Sequence, residues 1–169
     1  MITGKLQLIL PSLPENIHKV EKFVEDICDE FNINNTYFGN ILVTLTEAVE
    51  NAMKHGNGNN PSKHVQVIFS SKPEGLSFVV KDEGSGFDVN LIPDPTDLNV
   101  DAEQIKGRGI FLIKNLADEV HFTENGSSVE VIFKISSINH ELAVERMNLL
   151  KKYSSIKETS SSSQKDTNN

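Results

Sequence analysis

The sequence predicts an α+β fold of two layers: a mixed, mostly antiparallel sheet with helices on one face. Three observations carry this expectation. The β-rich runs come in pairs joined by short turns, 65–69 with 76–80 across KPEG and 120–123 with 129–135 across ENGS. Chains that return so quickly pair antiparallel. Two long stretches with apolar residues at every third or fourth position separate the first strand from the first of these pairs. Strands and helices are only partly interleaved, in the order β, α, α, β, β, long loop, α, β, β, α, unlike the regular alternation that builds a parallel sheet.

Each element has its own signal. Residues 5–10, KLQLIL, alternate and then turn apolar, as a strand does, and Pro11 and Pro14 end the run. Residues 15–31 are helical, with Ile17, Val20, Val24, Ile27, Cys28 and Phe31 on one side. A turn follows at 32–35, where Asn34 or Asn35 can cap the next helix. That helix is expected over 36–55, with Phe38, Ile41, Leu42, Leu45, Ala48, Val49 and Ala52 on its apolar side. GNGNNP at 56–61 breaks it. After the first strand pair, DEGSGFD at 82–88 leads into residues 87–106, which have no periodicity and hold Pro93 and Pro95. A segment of that length in a small domain is usually functional or disordered. GRGIFLIKNL at 107–116 opens on glycine and becomes helical, residues 138–153 form a further amphipathic helix, and the Ser-, Lys- and Asn-rich tail from 154 is expected to be disordered.

Composition narrows the function classes. The chain has 169 residues, 37% hydrophobic, which suits one domain with a modest extra element. Sixteen basic against twenty-four acidic residues give a net charge of −8 and argue against direct nucleic-acid or anionic membrane binding. The single cysteine, Cys28, allows no internal disulfide, and a cytoplasmic setting is the expectation. No run approaches the roughly 20 apolar residues needed to span a bilayer.

Three motifs carry the chemistry. In TEAVENAMKHGN, residues 46–57, Glu47, Asn51 and His55 recur every fourth position. Four residues advance an α-helix by about 400°, so the three form one row, drifting about 40° per step. Glu47 and Asn51 offer hard oxygens, which suit Mg²⁺ or an ordered water, although such a pair also suits a solvated helix face. Asp82 ends an apolar strand, and Gly84 and Gly86 after it let backbone approach a flat ligand, or simply make a turn. Gly107 and Gly109 stand at a helix entrance, where free N–H groups and the helix dipole favour anions. The Walker loop is absent, and no parallel βαβ unit surrounds the glycines.

In order and separation these motifs match the N, G1 and G2 boxes of the GHKL ATPases, here EAVENAMKHGN, DEGSGFD and GRGIFLI. Among those proteins the chain most resembles the bacterial anti-sigma-factor serine/threonine kinases, over about residues 5–135. The resemblance implies the histidine-kinase-like (Bergerat) ATP-binding fold over residues 1–137; the additional helix at 138–153 extends past where those short kinases usually stop, and the tail at 154–169 follows it. It implies that Asn51 binds Mg²⁺ bridging the nucleotide phosphates and that Glu47 polarises the attacking hydroxyl. It also implies that Asp82 accepts from the adenine amino group, that Gly84 and Gly86 pass close to the base, and that the amides of Gly107 and Gly109 meet phosphate. Lys54 stands where histidine kinases often carry a phosphate-contacting lysine, although it is also a plausible solvated lysine. Arg108 points at phosphate or at solvent. Five acids between residues 87 and 106, Asp88, Asp94, Asp97, Asp101 and Glu103, leave Lys106 or Arg108 to meet phosphate charge at the end of a lid.

The function implied is phosphoryl transfer from Mg-ATP to a hydroxyl of a small STAS-type antagonist, with sequestration of a sigma factor or other regulator, by a homodimer. Two alternatives stand beside it. One is an ATP-holding signalling module without transfer. The other is the catalytic domain of a histidine kinase system, suggested superficially by His140-Glu-Leu, which lies after the ATP motifs rather than before them.

Overall fold

Alternating side chains build the sheet, and two helical stripes cover it. A computed structural model describes residues 5–88, 90, 106–135, 148–149 and 151–152. The chain divides into one unit at Met1–Ser136 and a second at Ser137–Asn169. Of the second unit, residues 148–149 and 151–152 are described and are helical. The expectations for the lid at 91–105, for His140 and for the tail lie outside the described residues.

In the first unit the order is β1 (Leu6–Pro11), α1 (Ile17–Glu30), α2 (Asn35–Asn51), β2 (His64–Lys72), β3 (Gly75–Lys81), α3 (Lys106–Leu116), β4 (Glu119–Thr123) and β5 (Ser128–Phe133). The strands lie in the order β1-β2-β3-β5-β4. Every described pair is antiparallel, with Leu8 opposite Val67, Val67 opposite Val80 and Val80 opposite Val129. The α+β reading and its antiparallel pairing therefore hold, and the described sheet lacks the parallel minority that "mixed" allowed for. The reason lies in the connections, since each strand returns beside its partner through a hairpin or over the same helical face.

One face of the sheet is apolar in register. Leu10, Val65, Val67, Phe69, Leu76, Phe78, Val80, Val129, Val131 and Phe133 are buried there with Val20, Val24 and Ile27 of α1 and Ile41, Leu45, Ala48 and Val49 of α2. A run of ring contacts, Phe31 to Phe69 at 5.4 Å, Phe69 to Phe78 at 5.2 Å and Phe78 to Phe133 at 6.3 Å, crosses β2, β3 and β5. Asn34 caps α2, its Oδ1 accepting from the Tyr37 N–H at 3.1 Å.

The end of α2 departs from expectation. After Asn51 the chain winds into a π-turn over Ala52–Gly56, closed by Asn57 N–H to Ala52 O at 2.8 Å. A π-turn holds more residues than an α-turn and is common beside functional sites. It breaks the four-residue recurrence that would have set His55 in line with Glu47 and Asn51. His55 and Lys54 are exposed.

Candidate functional site

The site is assembled from three places on this frame. Glu47 and Asn51 sit one turn apart on α2, Glu47 only 8% exposed. The first turn of α3 presses on them. A Cβ added to Gly109 would stand 2.9 Å from both Asn51 Nδ2 and Glu47 Oε2 and 3.3 Å from Asn51 Oδ1. A side chain at this position would push the Glu47 and Asn51 tips aside, so glycine lets α3 approach α2 with both in place. Because α3 begins at Lys106, Gly107, Arg108 and Gly109 fall in its first turn, whose N–H groups lack intrahelical acceptors. Gly107 and Gly109 are buried, and Arg108 is half-buried.

Asp82 follows β3, tied to the sheet by its N–H to Ser127 O at 2.9 Å. Its carboxylate accepts from Gly84 N–H at 2.8 Å and lies against Gly56, where a Cβ would come within 2.3 Å of it. Burial raises its pKa above the ordinary carboxylate value, and the Gly84 N–H and nearby Lys63 oppose that rise. A narrow cleft of about 20 Å³ links the motifs, lined by Ala48, Asn51, Asp82, Phe87, Ile113 and Phe122 among others. The Phe87 and Phe122 rings meet edge-to-face at 6.4 Å beside it.

The two glycines after Asp82 have packing reasons of their own. A Cβ on Gly84 would meet Gly56 O at 2.1 Å, and one on Gly86, at φ +79°, would meet Asn125 O at 2.0 Å. Phe87 N–H donates to Asn125 O at 2.7 Å. The segment 84–87 is therefore wedged between the π-turn and the β4–β5 turn.

The donor set can be tested for Mg²⁺. Among the described residues no group of three His, Cys, Asp or Glu side chains could hold a metal by itself. Mg²⁺ bound to nucleotide keeps several waters and takes only one or two protein oxygens. The Glu47 carboxylate and Asn51 Oδ1 supply that sparse set, while Asn51 Nδ2, buried without a hydrogen-bond partner, is a donor for a ligand oxygen and not a metal ligand. The pair fits a nucleotide-bridged Mg²⁺ better than an all-protein cage.

Asn51 and Asp82 thus line one cleft, Glu47 and Gly109 meet beside Asn51, and Gly107 stands two residues earlier in the first turn of α3. Lys54 is exposed within the π-turn, and Lys106 is the first residue of α3. Sequence reasoning missed Asn57, read there only as part of a breaker, and missed Asn40 and Thr44. The latter two continue the Glu47–Asn51 row toward the start of α2, at 1% and 0% exposure. Their spacing of four, three and four residues was the available signal.

Comparison with known proteins agrees with this fold. The histidine kinase-like ATPase domain family matches residues 10–133, and the chain belongs to that family. The curated relatives include the serine-protein kinase RsbW of Listeria monocytogenes, 27% identical over 131 residues, covering 74% of this chain and 83% of the relative. RsbW of Staphylococcus aureus is 31% identical over 96 residues, covering 53% and 60%. A solved structure of the RsbU and RsbW domains of a Mycobacterium tuberculosis protein superposes with a TM-score of 0.56 at 15% identity, covering 78% of this chain and 32% of that one. The resemblance to the GHKL anti-sigma-factor kinases read from the three boxes is thereby upheld. Among the described residues no helix is long and apolar enough to cross a membrane.

Proposed function

We propose that the protein is an ATP-dependent serine/threonine kinase of the anti-sigma-factor type. It transfers phosphate to a hydroxyl of a small STAS-type antagonist and sequesters a sigma factor or another regulator. The observation that carries this reading is the packing of Glu47 and Asn51 under Gly109, with one narrow cleft lined by both Asn51 and Asp82. Asp82 accepts from an adenine amino group, a choice that disfavours guanine, which presents a carbonyl oxygen at that place. The first-turn amides of α3 receive phosphate oxygens, with Arg108 and Lys106 beside them. Asn51 is the protein ligand of Mg²⁺, and Glu47 orients the acceptor hydroxyl and draws on its proton. When bound, Mg²⁺ supplies charge neutralisation across the phosphates. Lys54, exposed within the π-turn, reaches back to phosphate. A homodimer in the cytoplasm is the setting this reading expects, without direct contact to nucleic acid or membrane.

Glu47 favours transfer over a binding module, because holding nucleotide requires no positioned carboxylate. The test is incubation with labelled ATP and candidate antagonists. Glu47→Ala is expected to bind ATP like the wild type and to lose transfer by about a hundredfold or more. Retained transfer in that variant would remove Glu47 from the mechanism. Label appearing in the wild type as acid-labile phosphate on this chain would favour the histidine kinase reading.

A further inference from the structure

We infer that Asn57 is a positioning residue of this site, setting the height of the Asp82 loop on the end of α2. It thereby fixes the span between the carboxylate that reads the base and the Glu47–Asn51 pair. The inference rests on the nucleotide reading of the cleft.

Asn57 is 3% exposed, and both ends of its carboxamide are used. Nδ2 donates to Ser12 Oγ at 2.8 Å and to His64 O at 3.0 Å, while Oδ1 accepts from Glu83 N–H at 2.8 Å. Its own N–H closes the π-turn on Ala52 O at 2.8 Å. Ser12 is fully buried and donates through Oγ to Lys63 O at 3.0 Å. One side chain therefore joins the exit of β1, the entry of β2, the end of α2 and the residue after Asp82.

The division of labour within the carboxamide matters. The donor half binds the exit of β1 and the first residue of β2, His64, which itself pairs with the Glu83 side chain. The acceptor half holds the loop whose Asp82 carboxylate rests against Gly56 and Gly84. Glu47 and Asn51 stand on the helix that the π-turn extends. Asp82 stands at the end of a strand, and Asn57 Oδ1 bonds that loop to the helix end. A shift of the loop changes where adenine sits relative to the phosphate ligands, and misplacement of about 1 Å can cost about a hundredfold in rate.

The test is titration calorimetry of the full chain with Mg-ADP and Mg-GDP, well below the melting temperature of every variant, alongside thermal melts. Asn57→Ala removes both halves. It is expected to lose about tenfold in ADP affinity, which is about 1.4 kcal/mol, and to narrow the preference for ADP over GDP. Asn57→Asp keeps an acceptor for Glu83 N–H and loses the donors; it is expected to melt earlier yet bind ADP within about threefold of wild type. Ser12→Ala, which touches only the scaffold half, is expected to melt earlier and bind ADP like the wild type. Wild-type affinity and preference in Asn57→Ala would overturn the inference. So would an equal loss of affinity in Ser12→Ala, since the effect would then be general softening. If Asn57→Ala does not fold, Asn57→Asp decides: affinity held supports the inference, and a tenfold loss overturns it. Absence of ADP binding in the wild type would sink the nucleotide reading itself, and the inference with it.

Discussion

Asp82 shows how burial and function compete in one side chain. Its carboxyl holds a proton more tightly than an exposed aspartate does, chiefly because it is partly buried. For a group whose folded pKa is raised, the stabilising contribution is full below the ordinary carboxylate value and is lost as pH rises through the raised one. At neutral pH the ionised Asp82 is a cost to the empty fold. Asp82→Asn, which keeps an Oδ1 to accept from Gly84 N–H, is therefore expected to raise the melting temperature at neutral pH and to lose that advantage in acid. The same variant is expected to lose adenine affinity in calorimetry. Asp82 and the two α2 residues were legible in the sequence because their residue types are costly where they stand and need a reason. Asn57 was not legible, since an asparagine in a Gly-Asn run looks like any turn, and its contacts to the sequence-distant Ser12 and Glu83 distinguish it.

Helix α2 carries more polarity than its function uses. Asn40 Oδ1 and Thr44 Oγ1 are buried without a hydrogen-bond partner. An unsatisfied buried polar atom costs about 1–3 kcal/mol. Thr44→Val is nearly isosteric, and it is expected to stabilise the fold by about 1 kcal/mol, read as a higher midpoint in urea unfolding with an unchanged slope. A destabilised variant would mean that Thr44 has a partner such as bound water. On the opposite face of the sheet the accounting differs. Glu130 Oε1 accepts from Lys72 Nζ and from Ser77 Oγ, both at 2.6 Å, and these partners, Lys72 first, hold its pKa below the ordinary value. Such a contribution is present above the unfolded carboxylate pKa and is lost as pH falls through the depressed one. Lys72→Met is accordingly expected to be less stable than wild type at neutral pH, with the difference closing in acid unfolding series. The existence of each described element was legible from periodicity, and most ends came within two residues. The exceptions are β2, which runs three residues further, to Lys72, and the end of α2, where the chain passes into a π-turn closed by the Asn57 N–H.

Taken whole, the unit joins its three motifs through a narrow cleft rather than an open bowl. A ligand bound only by the folded state stabilises it by about 2.7 kcal/mol at one hundred times its dissociation constant. Mg-ADP and Mg-ATP are expected to raise the melting temperature in a dose-dependent way, and Mg-GTP to do so far less; equal shifts with guanine nucleotides would contradict the role given to Asp82. The antiparallel layout was legible from the two tight hairpins, but the neighbours that no hairpin joins were not. β1 pairs with β2 across both helices, Leu6 facing Phe69, and β3 pairs with β5 across α3, Lys81 facing Ser128. That second pairing bears on how the protein comes into being. Asp82 leans on Ser127, and Gly86 and Phe87 lean on Asn125, all made some forty residues after the strand they support. Contacts so distant in sequence close slowly. On a ribosome, a growing chain that already carries Glu47, Asn51 and Asp82 still lacks the wall behind the cleft proposed for adenine, so completion of that cleft waits until β5 has emerged.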